Sequence, residues 1–304
     1  MSEAIAAHLG EWTALAAAAS WVGSALAFEA AGERMGSTIL NLVRLALALI
    51  FGVAYAGLSG DPLFPFDATT SAWAWLSTSA MIGFVFGDFC LLAAYIQLGP
   101  RLTSLMMAST PIWTTLMGWL VFGETLATRD LVAILLVVGG IGWAVMERPR
   151  ANVKGGRVKE ASPKGILLGL GAALGQAGGL ITSKAGLATG IDPFGAAQIR
   201  VLVGFIAFAV LASALRWWGR VASAVRDPKG MVPATIGAVF GPFLGVIASL
   251  AALQLTTNAG VAATLMSLTP IMLIPVVWFR GERVGVAGVL GAVIAVGGAS
   301  VLFF

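Results

Sequence analysis

Apolar residues in this chain come in long blocks separated by short polar turns. Crossing a hydrocarbon layer of roughly 30 Å at about 1.5 Å per helical residue takes about 20 such residues. Ten blocks meet that length, at residues 11–31, 38–58, 73–97, 102–122, 129–147, 165–185, 195–215, 231–254, 259–279 and 284–304 (spans 1 to 10). The strongest interruptions are residues 59–72, with Asp61, Pro62, Pro65 and Asp67, and residues 148–164, with six basic residues, Pro149 and Pro163. The second interruption divides the chain into a first repeat at 1–147, a basic linker at 148–164 and a second repeat at 165–304. The pattern predicts an all-α integral membrane protein of ten transmembrane helices, five in each half.

The halves resemble each other. Thr110-Pro111-Ile112 running to Gly123-Glu124 returns as Thr269-Pro270-Ile271 running to Gly281-Glu282. Arg44 in span 2 matches Arg200 in span 7, and Gln97 matches Gln254. Trp21 and Glu29 in span 1 match Gln176 and Lys184 in span 6. Five spans is an odd number, so similar halves must cross the membrane in opposite directions. That is an inverted-topology repeat, a common plan for secondary transporters.

Composition agrees with the blocks. The chain is 59% hydrophobic and 11% charged, where a soluble domain averages about 25% charged. A single cysteine (Cys90) and a single histidine (His8) exclude a disulfide within the chain and leave nothing for a metal cluster. No phosphate loop and no Ser/His/Asp set can be assembled. The chain is therefore expected to be no enzyme and to carry no cofactor, no metal and no nucleic acid.

The net charge of +4 reports topology. Of the 18 Lys and Arg residues, 14 fall in the loops after spans 1, 3, 5, 7 and 9; Arg129 and Lys184 lie on the opposite side, and Arg44 and Arg200 within spans. The positive-inside rule makes the 148–164 loop cytoplasmic and both termini external, in a cell membrane.

Several side chains invite a chemical reading. Asp88, about midway through span 3, is costly in hydrocarbon and must meet a wet cavity or a partner. It is expected to bind a cation or couple transport to protons, against the plainer reading of a carboxylate bonded to a neighbouring helix. Tyr95 shares its face. Glu29 and Lys184 are expected to flank opposite ends of one cavity, or else to snorkel toward the headgroups. Trp21 and Gln176 are candidates to line that cavity, or ordinary packing residues. Thr110 and Ser267 offer hydroxyls to a polar path, or bond back to the preceding turn. Arg44 and Arg200 read first as anchors that bond carbonyls at helix ends, and second as mobile partners for Glu29 or Asp88. Pro111 and Pro270 are expected to free a backbone bond and let spans 4 and 9 bend. Glu124 and Glu282 are expected to satisfy free amides where spans 5 and 10 begin. Gly165, Gly169, Gly171 and Gly175 in span 6 form small-xxx-small patterns that predict close helix packing.

Taken with the paired halves, the Arg of spans 2 and 7, the Thr-Pro of spans 4 and 9 and the Gly-Glu that closes them, the chain resembles the drug/metabolite transporter superfamily, in particular its EamA-like ten-helix members. The resemblance implies a secondary transporter, often an exporter of amino acids, other metabolites or cationic drugs. It also implies a central cavity lined mainly by spans 1, 3, 4, 6, 8 and 9. The sequence departs from the family pattern at Trp21-Val22-Gly23, where Trp-Gly is usual, and at Glu29, where a basic residue is common. The implied partners are a small-molecule substrate, the bilayer and, if Asp88 couples transport, protons. A rival reading keeps the fold but makes the chain a non-transporting scaffold, sensor or accessory subunit.

Overall fold

A computed structural model describes residues 8–146, 162–279 and 286–302. In the first half, α1 (Leu9–Met35) and α2 (Ser37–Ser59) are followed by α3 (Thr70–Ala80). A π-helical turn at Met81–Gly87 carries α3 directly into α4 (Asp88–Met107). Then come α5 (Thr110–Phe122) and α6 (Thr128–Met146). The second half holds α7 (Pro163–Leu187), α8 (Pro193–Ala214), a short α9 (Trp218–Val225) and α10 (Pro228–Ala238). A second π-helical turn, Val239–Gly245, leads into α11 (Val246–Leu255), followed by α12 (Ala259–Met266), α13 (Thr269–Phe279) and α14 (Val286–Val301). No strand occurs among the described residues.

Helix starts are written in the sequence. The side chains of Thr69, Ser162, Asp192 and Asp227 accept from backbone amides of the first turns of α3, α7, α8 and α10. Pro163, Pro193 and Pro228 open the last three of these, where a missing N–H costs nothing.

Among the described residues, six helical stretches are long and apolar enough to cross a membrane: Leu9–Met35, Ser37–Ser59, Thr70–Leu91, Pro163–Leu187, Pro193–Ala214 and Pro228–Leu255. Ala259–Leu273 and Val286–Val301 are shorter apolar stretches. Outward-facing Leu135, Val210 and Val293, each more than 60% exposed, give the apolar rim that a bilayer covers.

Two expectations are corrected. The turn expected between spans 3 and 4, at 98–101, is absent: α4 continues through Gly99 and Pro100 to Met107. The chain breaks instead at Ala108-Ser109, so the block at 102–122 is not one helix. Consequently Pro111 lies in the first turn of α5, and Pro270 is the second residue of α13. Neither bends a helix from within. At a first turn the proline's absent N–H would have had no partner, so these prolines start helices and free no interior bond.

The halves are knitted by antiparallel pairs. α1 lies along α10 and α11, with Gly10 beside Leu255, Trp21 beside Gly245, Phe28 beside Gly237 and Arg34 beside Asp227. In the same way the α3–α4 stretch lies along α7, with Leu76 beside Gly186, Gly83 beside Gly179, Gly87 beside Gly175 and Cys90 beside Gly171. A methyl added at Gly175 would come within 2.6 Å of the Gly87 Cα, so these backbones are in direct contact. α6 and α14 meet in the same fashion through Gly140 and Gly298. Gly83 and Gly87 recur as Gly241 and Gly245, in the second π-helical turn, 158 residues on.

The pairings also sort the ends of the helices. Gly10, Glu124, Lys184 and Ala259 cluster at one end. At the other lie Arg34 with Asp227, and Gln97 with Ser162. The basic residues Lys164, Arg216, Arg220, Arg226 and Lys229 share that second end.

Candidate functional site

The first π-helical turn sets the centre of the site. A methyl at Gly175 or Gly179 would meet the Cα of Gly87 at 2.6 Å or of Gly83 at 3.0 Å, so the turn lies directly on the α7 backbone. The turn delivers the next residue, Asp88, inward, where it is 7% exposed. Arg44, about two turns into α2, donates from Nη2 to the Asp88 Oδ2. Its guanidinium also lies over the Phe28 ring, 5.4 Å from the centroid. Arg200, on α8 of the other half, is 4% exposed and stacks over Phe84 at 4.7 Å, close enough for its charge to act on Asp88. Of the two readings of these arginines, the carbonyl anchor is not what is seen: Arg44 pairs with Asp88, as its second reading had it, and Arg200 stacks on an aromatic face. Among the described side chains, two guanidiniums and one carboxylate meet in this buried centre, an excess of one positive charge.

Gln176 lies half-buried on α7 beside the same turn, its Oε1 3.9 Å from where a Gly83 Cβ would stand. Trp21, also half-buried, donates from Nε1 to Ser249 Oγ at 3.4 Å, a long bond joining α1 to α11. Ser249 in turn donates to the carbonyl of Gly245, inside the second π-helical turn. Thr110 and Ser267 donate to the carbonyls of Met107 and Thr264, both at 2.7 Å, so each hydroxyl closes a helix end next to a break.

Lys184 and Glu124 form a second, separate group. Lys184 Nζ lies 2.6 Å from Glu124 Oε1 and donates to the Thr257 carbonyl at 2.7 Å. Glu124 Oε2 accepts from the Ala259 amide at 3.0 Å. Glu124 was expected to cap the helix that follows it; it caps α12, from the other half. Gly123, at φ 66°, ends α5 in a left-handed turn that throws Glu124 sideways, away from its own next helix. The result ties α5, α7 and the α11–α12 junction together at one end of the protein. Lys184, expected to flank one end of a cavity, is held in this knot at one end of the protein with its side chain 18% exposed.

At the other end, Arg34 donates to both carboxylate oxygens of Asp227, at 2.6 and 3.3 Å. That hydrogen bond, with the charge behind it, holds the Asp227 carboxyl below the usual carboxylate range. The side chains of Glu29 and Tyr95, and residue Glu282 altogether, lie outside the described residues. No group of three or more His, Cys, Asp or Glu side chains arranged to hold a metal occurs among the described residues.

The decisive comparison is with protein families: the EamA-like transporter model matches twice, over residues 8–146 and 163–304. The chain belongs to the EamA-like transporter family. The family model thus matches twice along the chain, once in each of two repeats. A solved structure described only as the crystal structure of a protein shares the fold, with a TM-score of 0.72 and 15% identity over 96% of this chain and 95% of that one. Comparison with curated proteins gave no match.

Sequence reasoning missed two parts of this EamA site. The Glu124–Lys184 contact went unseen because it joins residues 60 apart through tertiary packing. The paired Gly-x-x-x-Gly of the π-helical turns did carry a sequence signal: the same spacing at the same place in both halves.

Proposed function

We propose that this protein is a secondary active transporter that exports a small organic metabolite or drug across a cell membrane by alternating access. Ten spans in two inverted five-helix repeats provide the frame, with the basic loops cytoplasmic and both termini external. What carries the reading is the Arg44–Asp88 pair with Arg200 beside it, buried where helices of both halves meet. Charges at such depth are expensive and need a use. A carboxylate held by one guanidinium within reach of a second has two partners to choose between. A carrier needs an element of this kind, with two arrangements whose balance a substrate or a proton shifts.

Symmetry supplies further support. Each half gives its first span to pair with the third span of the other, through the same glycine spacing and π-helical turn. Two equivalent interfaces related in this way can exchange open and closed roles. The Glu124–Lys184 knot and the Arg34–Asp227 pair lie at opposite ends, where two gates would be needed.

Asp88 is the proposed proton-coupling group. Reconstituted Asp88→Asn protein is expected to keep solute exchange but lose stimulation by a pH gradient across the liposome membrane. Stimulation equal to wild type removes Asp88 from the coupling step.

A further inference from the structure

We infer that the transported solute is an organic anion, a monocarboxylate with an apolar body, whose carboxylate is received by Arg200. The inference rests on the transport reading above and adds the chemical class of what the site holds.

The argument is one of charge and hydrogen bonds. Arg44 and Asp88 neutralise each other. Arg200 then carries a full charge at 4% exposure; its Nε, like that of Arg44, is buried with no hydrogen-bond partner among the described residues, and its guanidinium stacks on an aromatic face. An arginine stays charged in any protein environment, so titration cannot relieve the cost. Guanidinium is a planar fork of donors that matches a carboxylate in two parallel bonds. Among the described residues no carboxylate other than Asp88 reaches it. A monoanionic solute brings the missing charge and no more, whereas a cation would add repulsion to a centre already positive. Phe84 and Phe28, stacked on the two guanidiniums, favour an apolar and aromatic body on that carboxylate. Gln176 offers an amide beside the same turn for a second polar group.

Benzoate, benzamide and benzamidinium have nearly one shape and carry charges of minus one, zero and plus one. Thermal protection of the full chain in detergent is expected with benzoate and at least about tenfold weaker with the other two, the loss of one charge-assisted contact. Arg200→Gln is expected to abolish the preference, and Arg200→Lys, which keeps the charge and loses the fork, to retain part of it. Should neither variant fold, the ranking of the three probes on the wild-type chain decides. Absent benzoate protection, equal or better protection by benzamide or benzamidinium, or full benzoate affinity in Arg200→Gln overturns the inference. So does benzoate binding that appears only in Glu29→Gln, because an internal carboxylate would then be the counter-ion. Radiolabelled counterflow in liposomes separates the two levels. Benzoate binding through Arg200 without counterflow sinks the carrier and leaves the anion site. Counterflow of benzamidinium with no benzoate preference does the reverse.

Discussion

Removing the central carboxylate should hurt more than removing the arginine that holds it. In Asp88→Asn, Arg44 and Arg200 both lose their only described counter-charge, in a place where Arg44 and Asp88 side chains are 14% and 10% exposed. Breaking a buried ion pair by deleting one member costs about 3–5 kcal/mol, and this deletion strands two cations. In Arg44→Gln the carboxylate can turn to Arg200, whose charge already acts on it. The cost there falls to that of a lost charge-assisted hydrogen bond, about 1.5–3 kcal/mol. In the double variant the first loss has already occurred, so the second adds little, and the coupling energy should be about 2 kcal/mol. The assay is reversible unfolding from mixed micelles by titrated dodecyl sulfate, followed by helical circular dichroism. Additive losses, or an Arg44→Gln protein less stable than Asp88→Asn, would refute the arrangement of one carboxylate between two guanidiniums.

Two other predictions test the frame around the site. Glu124→Ala removes the partner of Lys184 and the cap on Ala259 together, and should cost about 1–3 kcal/mol; a thermal midpoint equal to wild type would show the knot to be idle. Adjacent glycines of α6 should respond with opposite sign. A methyl at Gly140 meets the Ala295 amide nitrogen at 2.6 Å and should cost about 1–3 kcal/mol, while a methyl at Gly139 meets nothing and should gain up to about 1 kcal/mol. The reverse order of midpoints would mean that α6 and α14 are not paired as described.

The sequence by itself determined the class, the two halves and the family, because each depends on properties that run along the chain. Block length against bilayer thickness makes the protein a membrane protein, and duplicated Thr-Pro and Gly-Glu segments make it a repeat. Asp88 stood out for the same kind of reason: a carboxylate in the middle of an apolar block is conspicuous wherever that block ends up. Span boundaries were less legible. Gly99-Pro100 reads as a stop and is crossed by a helix, while Ala108-Ser109, with no strong breaker, ends one. Helix ends inside a membrane protein are settled by what neighbouring helices can satisfy, more than by local propensity.

Only the tertiary structure decided which charges meet. Arg44 lies 44 residues from Asp88, and Glu124 lies 135 residues from the amide it caps. Two arginines that look equivalent in the sequence differ in the fold, since the halves share a frame while the single carboxylate belongs to one of them. Symmetry of the chain supplied two positive positions, and among the described residues packing gave Arg44 a carboxylate to bond and Arg200 an aromatic face. Which of the two bonds Asp88 directly is decided by packing, which the sequence does not display.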